Sequence, residues 1–247
     1  MPALTGPDHI DASTAVHRLA QTRTRDLAAL RRRLSDALAA AHTFHDPDLT
    51  SDANARHRAE MARTAREQAA ADLDRIEHEA DHAAALVRAA ADKATAPPAG
   101  ATEQLLAETR QARAWDRARA LLDAGRTPRE VIESADLDTL HALRTELPTY
   151  LAAQHAKPQG LTGGEHTEPD PARILHAIDR ARLDHLPRKQ AAALRARLDL
   201  DALEPGLRET LAGLRREVDG TADQHNGLRS AVAARLADQH AALQPAA

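Results

Sequence analysis

There is no cysteine in the 247 residues, which excludes disulfides and thiol catalysis and fits a reducing compartment. Aromatic residues are nearly as scarce, Phe44, Trp115 and Tyr150 being the full set, so any core must be built from aliphatic side chains. Apolar residues still make up 43% of the chain, and alanine and leucine carry most of that share. Both lead the helix scale, whereas strands favour β-branched and aromatic residues, and no segment alternates apolar with polar as a strand would. Positive charge is not in excess: Lys+Arg 33 against Asp+Glu 37 leaves a net charge of -4. The protein as a whole therefore has no cationic field to draw it onto nucleic acid or acidic lipid. No apolar run approaches membrane-spanning length, and MPALTGPDHIDAST lacks the basic start and apolar core of a secretory signal. A soluble, cytoplasmic chain with no membrane partner is expected. Lysine is confined to Lys93, Lys157 and Lys189 and asparagine is nearly absent, a bias that a GC-rich genome explains.

What is present is helix. From Asp11 to His42 the chain has neither Gly nor Pro, and Asp11 or Ser13 can cap the start. Val16, Leu30 and Ala37 share one heptad position and Ala20, Leu27, Leu34 and Ala41 the other, with Arg23 as the interruption. Thr43 to Thr50, TFHDPDLT, breaks this helix at Pro47. A second helix from Asp52 to Ala94 has its seam at Ala62, Ala69, Leu73, Ile76, Ala80, Ala83, Val87, Ala90 and Ala94, interrupted at Arg66. A short connection makes the two antiparallel neighbours. At 1.5 Å per residue they would be roughly 45 and roughly 60 Å long, so the arms are unequal. A two-helix hairpin this poor in large side chains buries too little to stand alone. It needs a third surface, from this chain, another copy or a different protein.

Prolines and a glycine in Ala96 to Ala101 end the hairpin. A small multi-helix region follows: Thr102 or Glu103 opens a helix that stops at Gly125, and Thr127, Pro128 and Glu130 form a capping box with proline at the first helical position. Asp136 caps a helix through Leu137, Leu140, Leu143 and Leu147, and Pro148 starts a final turn with Tyr150 and Leu151. Ala156 to Pro169, rich in Gly, Pro and polar residues, reads as a linker. Beyond it, Pro171, Pro187 and Pro205 each start a helix, and Thr221 to Leu243 gives the last, through Leu228, Val232 and Leu236. The expected layout is all-α: a long alanine-rich coiled-coil hairpin at 1–95, a small helical module at 102–155, a linker at 156–170 and a C-terminal helical module at 171–247.

Three constellations carry possible chemistry. His78-Glu79-Ala80-Asp81-His82 matches HExxH and resembles the zinc site of zincin metalloproteases. That resemblance implies zinc on His78 and His82 and a water activated by Glu79. Asp81 stands where those enzymes keep an uncharged residue, Ala85 replaces the glycine of the metzincin extension, and no third ligand follows at a suitable spacing. The seam at Ile76, Ala80 and Ala83 turns both histidines outward, so no cofactor, metal site or enzyme activity is expected. Residues 105–147, containing LLDAGRTPREVIESADLDTLHALRTEL, resemble a bacterial helix-turn-helix. Its recognition helix would be Leu137 to Leu147, whose Asp138, His141, Arg144 and Glu146 lack the basic balance that phosphate contacts demand. Arg18, Arg25 and Arg32, spaced by sevens and reinforced by Arg31 and Arg33, would meet Glu60, Glu67, Asp72, Asp74, Glu77, Glu79 and Asp81 of the second helix as a solvated flank.

The resulting expectation is a non-enzymatic structural, assembly or adaptor protein. It would bind a protein partner or a second copy of itself through the seam residues Val16, Leu27, Leu30, Leu34, Leu73, Ile76, Ala80, Ala83 and Val87. A long helical hairpin followed by small helical modules in a lysine-poor chain is similar to structural or scaffold-like proteins of actinobacterial phages and prophages, which implies a virion as a second location. The alternatives are a DNA-binding regulator and a zinc hydrolase.

Overall fold

The computed structural model describes residues 11–155 and 170–220, and all secondary structure among them is helical, with no strand. The first arm is α1 (Ala12–Gln21), a π-helical turn (Thr22–Asp26) and α2 (Leu27–Thr43). There follow α3 (Ser51–Ala94), α4 (Ala101–Asp123), α5 (Pro128–Glu133), α6 (Leu137–His155), α7 (Pro171–Arg182) and α8 (Arg188–Val218). The chain divides into two compact units, Met1–Arg88 with Asp199–Ala247 and Ala89–Leu198. This division differs from the layout expected from sequence. α7 belongs with the module at 102–155, and the second half of α8 belongs with the arms. Of the expected linker only Asp170, the N-cap of α7, is described, and the expected helix Thr221 to Leu243 lies outside the described residues.

In the first unit the π turn moves the seam by one residue. A π turn holds an extra residue, so the inward positions N-terminal to it are Ala12, Ala15 and Leu19, in place of the Val16 and Ala20 that a continuous heptad requires. The shift buries Leu19 where Ala20 would have stood and Ala15 where Val16 would have stood, a net gain of one carbon, about 0.8 kcal/mol. Leu27, Leu30, Leu34 and Ala41 are buried C-terminal to it, as the heptad places them, whereas Ala37, expected on the same stripe, is exposed. On α3 the buried positions are Ala69, Leu73, Ile76, Ala80, Ala84 and Val87. They recur every eleven residues, close to the natural pitch of a straight helix, so Ala84 takes the place expected for Ala83, which is half-buried.

Asn54 closes the connection between the arms. Its side chain is buried and accepts the Asp46 N–H at 2.8 Å, while its amide donates to the carbonyls of Asp46 at 2.9 Å, Leu49 at 3.2 Å and Thr50 at 3.3 Å. Phe44 stacks at a tilt on His57, 5.7 Å away. Arg33 pairs with Asp72 at 3.0 Å. Leu38, Ala41 and His42 share one groove with Ala59 and Ala62, and Ala15 and Leu19 share another with Ala80 and Ala83. Residue numbers on α3 thus fall as those on the first arm rise.

The third helix of this unit is the C-terminal part of α8. Leu200, Leu207, Leu211, Leu214 and Val218 form its buried stripe. Polar contacts fix its direction: Glu204 pairs with Arg88, Arg208 with Asp81, and Arg215 with Asp74 at 2.6 Å and Glu77 at 2.5 Å. α8 numbers rise as α3 numbers fall, so α8 runs opposite to α3. Both seam interruptions meet a glycine of this segment. A β-carbon on Gly206 would stand 2.6 Å from Cζ of Arg23, and Arg66 lies against Gly220, whose φ of +71° closes α8. The absent side chain at Gly206 is the seat of the Arg23 guanidinium.

In the second unit, Ala118, Leu122, Val131, Ile132, Leu140, Leu143, Leu147 and Ile178 form one core, with Trp115, Tyr150 and Leu151 packed at its edge. α6 lies between α4 and α7. Gly125, at φ +90°, ends α4 with two backbone bonds, Arg126 N–H to Leu121 and Gly125 N–H to Leu122, the Schellman pattern. The capping box of α5 forms as its residues predict: Thr127 Oγ1 accepts the Glu130 N–H, and Glu130 accepts the Thr127 N–H at 2.8 Å.

Two proline expectations are corrected. Pro148 and Pro205 lie inside α6 and α8 and start no new helix. A proline in a helix interior costs about 3 kcal/mol, and packing on both sides offsets it. Leu143 and Leu147 precede Pro148 while Tyr150 and Leu151 follow it on the same core, and Leu200 and Leu207 flank Pro205.

Candidate functional site

The histidines of the HExxH match are solvated because α3 turns Ile76, Ala80 and Ala84 inward. His78, Glu79 and His82 are exposed, and Glu79 accepts from Arg75 at 3.2 Å on its own helix. Asp81, the match's fourth residue, is held by Arg208. Glu79 and His82 border a cleft of about 270 Å³, where the other polar lining residues are Arg18 and Thr22. His78, the other would-be ligand, does not line this cleft, a guanidinium on its wall opposes a divalent cation there, and among the described residues no group of three or more His, Asp or Glu side chains converges on one point. Two imidazoles one helical turn apart can at most hold a divalent ion weakly.

The helix-turn-helix segment forms as α4, α5 and α6, but its recognition helix is the centre of a core. Leu140, Leu143 and Leu147 are fully buried, and two of its four polar candidates are engaged by α7. Arg144 donates to Asp179 at 2.8 Å, and His141 lies 3.1 Å from Arg182. Asp138, Thr145, Glu146 and the half-exposed side chain of Arg144 form the outer face, where the one guanidinium is already committed to Asp179 and two carboxylates oppose the approach of a phosphate backbone.

Seven of the nine seam residues, Leu27, Leu30, Leu34, Leu73, Ile76, Ala80 and Val87, are buried within the chain itself. Val16 and Ala83 are half-buried, displaced by the π turn and the eleven-residue repeat. The flanking charges also pair differently from the expectation. Only Arg33 meets an acid of α3; Arg31 pairs with Glu217 at 2.8 Å, and Asp74, Glu77 and Asp81 pair with arginines of α8. Glu60 and Glu67 pair with Arg63, within α3. Arg18, Arg25 and Arg32 are exposed, and among the described residues no carboxylate lies at ion-pair distance from them.

Two features escape sequence reading. Asp179 and Arg182 of α7 are buried charges, joined at 2.8 Å; the available signal is that Arg182 falls on the stripe begun by Leu175 and Ile178. The other is the first half of α4. From Ala101 to Arg113 every residue is exposed or half-buried, and burial begins only at Ala114. Leu105 and Leu106, 66% and 49% exposed, are the most exposed large apolar side chains described. No known protein family, curated protein or solved structure matches this chain. No helix among the described residues is long and apolar enough to cross a membrane.

Proposed function

We propose that this chain is a non-catalytic structural, assembly or adaptor protein that binds a protein partner or a second copy of itself. The observation that carries this reading is the first half of α4. A helix segment of some thirteen residues is marginal in water without packing, yet Ala101 to Arg113 holds its two leucines out to solvent. The side chains that could do chemistry support the same reading, since Glu79, Asp81, His141, Arg144 and Asp179 are each held by a neighbour in the fold. The docking surface is then α4, and the seam residues serve the interior. The likeness to phage scaffold proteins makes a virion or its precursor the first place to look for the partner.

The test is mass in solution. Light scattering coupled to size exclusion is expected to give an oligomer or a co-purifying complex that Leu105→Glu with Leu106→Glu dissociates, the helical signal being kept. A strictly monomeric wild type that retains no partner overturns the proposal.

A further inference from the structure

The joint between α6 and α7 is built around charge in a place where charge is costly. Asp179 is 8% exposed and Arg182 4%. One carboxylate oxygen, Asp179 Oδ1, accepts from Nη1 of Arg182 at 2.8 Å and from Nε of Arg144 at 2.8 Å. The other amino group of Arg182, Nη2, lies 3.1 Å from Nε2 of His141, and its Nε has no partner. A guanidinium has donors only. Nε2 of His141 must therefore be the acceptor, which makes the imidazole neutral with its proton on Nδ1.

Protonation reverses this contact. Nε2 becomes a donor facing a donor, so the bond is lost. Arg182, already lacking a partner at Nε, then has a second unpaired donor in the core, and a third cation surrounds the shared Asp179 oxygen. The charged groups facing the imidazole are Asp138 and Arg144 on its own helix and Asp179 and Arg182 on α7. α4, on the other side of α6, directs Asp123 elsewhere, to the hydroxyl of Tyr150 at 2.7 Å. Only Asp138 offers the imidazolium a carboxylate not already shared by two arginines.

We propose that the α6–α7 joint is an acid-released latch, in which protonation of His141 breaks its bond to buried Arg182 and lets α7 separate from α6. Burial first, and then the charge of Arg182, hold the imidazole below the usual histidine range, against the opposing pull of Asp138. Because the group is lowered in the folded state, its contribution is fully present above the unfolded value of 6.5 and is lost as pH falls below it.

Hydrogen exchange on the full chain tests this, reading the amides of α7 at about pH 7.5 and about pH 5 after correction for intrinsic rates. Wild type is expected to lose α7 protection at the lower pH. His141→Gln keeps an acceptor for Arg182 but cannot titrate, and should show equal protection at both. Equal protection of wild-type α7 at both pH values, or an equal loss in the Gln variant, overturns the latch. Should that variant fail to fold, the wild-type imidazole resonance of His141 decides: it must titrate below the ordinary histidine value of 6.5, and a titration at or above that value overturns the proposal.

Discussion

Single residues carry more of this fold than their scarcity suggests. Asn54 satisfies three carbonyls and one N–H of the connection between the arms. Asn54→Asp keeps the shape but turns the donating amide into a carboxylate facing carbonyl oxygens. It is expected to lower stability by about 1–3 kcal/mol, read as a shift of the urea midpoint at unchanged slope. Sequence pattern could not have singled it out, because a polar residue in the first turn of a helix ordinarily faces water. Arg23 and Arg66 make the same point in reverse. As heptad interruptions they read as faults in a two-helix seam, yet Arg23 lies against Gly206 within α8 and Arg66 against Gly220 just past its end. A third helix removes the contradiction.

The elements follow their local signals closely at the ends and less closely inside. Caps and stops were legible: the Thr127 box, the Asp136 cap and Gly125 all act within a few residues, where sequence distance and spatial distance coincide. Phase was not. The π turn at Thr22–Asp26 moves the inward set from Val16 to Ala15 and Leu19, and the eleven-residue spacing on α3 moves it from Ala83 to Ala84. A seven-residue and an eleven-residue reading differ by one position only after several turns, so alanine-rich sequence cannot choose between them. The helix-internal prolines misled for a related reason, because a break that sequence marks can be overridden by leucines packed on either side. Pro205 is solvent-exposed within α8. Pro205→Ala is therefore expected to raise stability, by up to about 3 kcal/mol, seen as a higher midpoint of thermal unfolding by circular dichroism. A lowered midpoint would mean that α8 needs its irregularity at that point.

At the scale of the molecule, the outcome turns on where the third surface of the hairpin comes from. Leu207, Leu211, Leu214 and Val218 supply it from the same chain, locked by Arg208 and Arg215 on the acids of α3. Truncation after Leu198 removes that cover. The shortened protein is expected to bind a hydrophobic dye, to lose cooperative unfolding of the arms and to associate in size exclusion. A monomeric, cooperatively unfolding truncation would show that the arms suffice alone. Composition by itself determined that the chain is helical and that its two alanine-rich arms could not be left bare, because alanine and leucine favour helix and small side chains bury little area. Only the tertiary structure decided what covers them, since the covering stripe of α8, from Leu207 onward, lies more than a hundred residues beyond the end of α3 and nothing local records which distant stripe fits. The same distance hid the buried pair of Asp179 and Arg182, whose charges are tolerable only where Arg144 and His141 of another helix meet them.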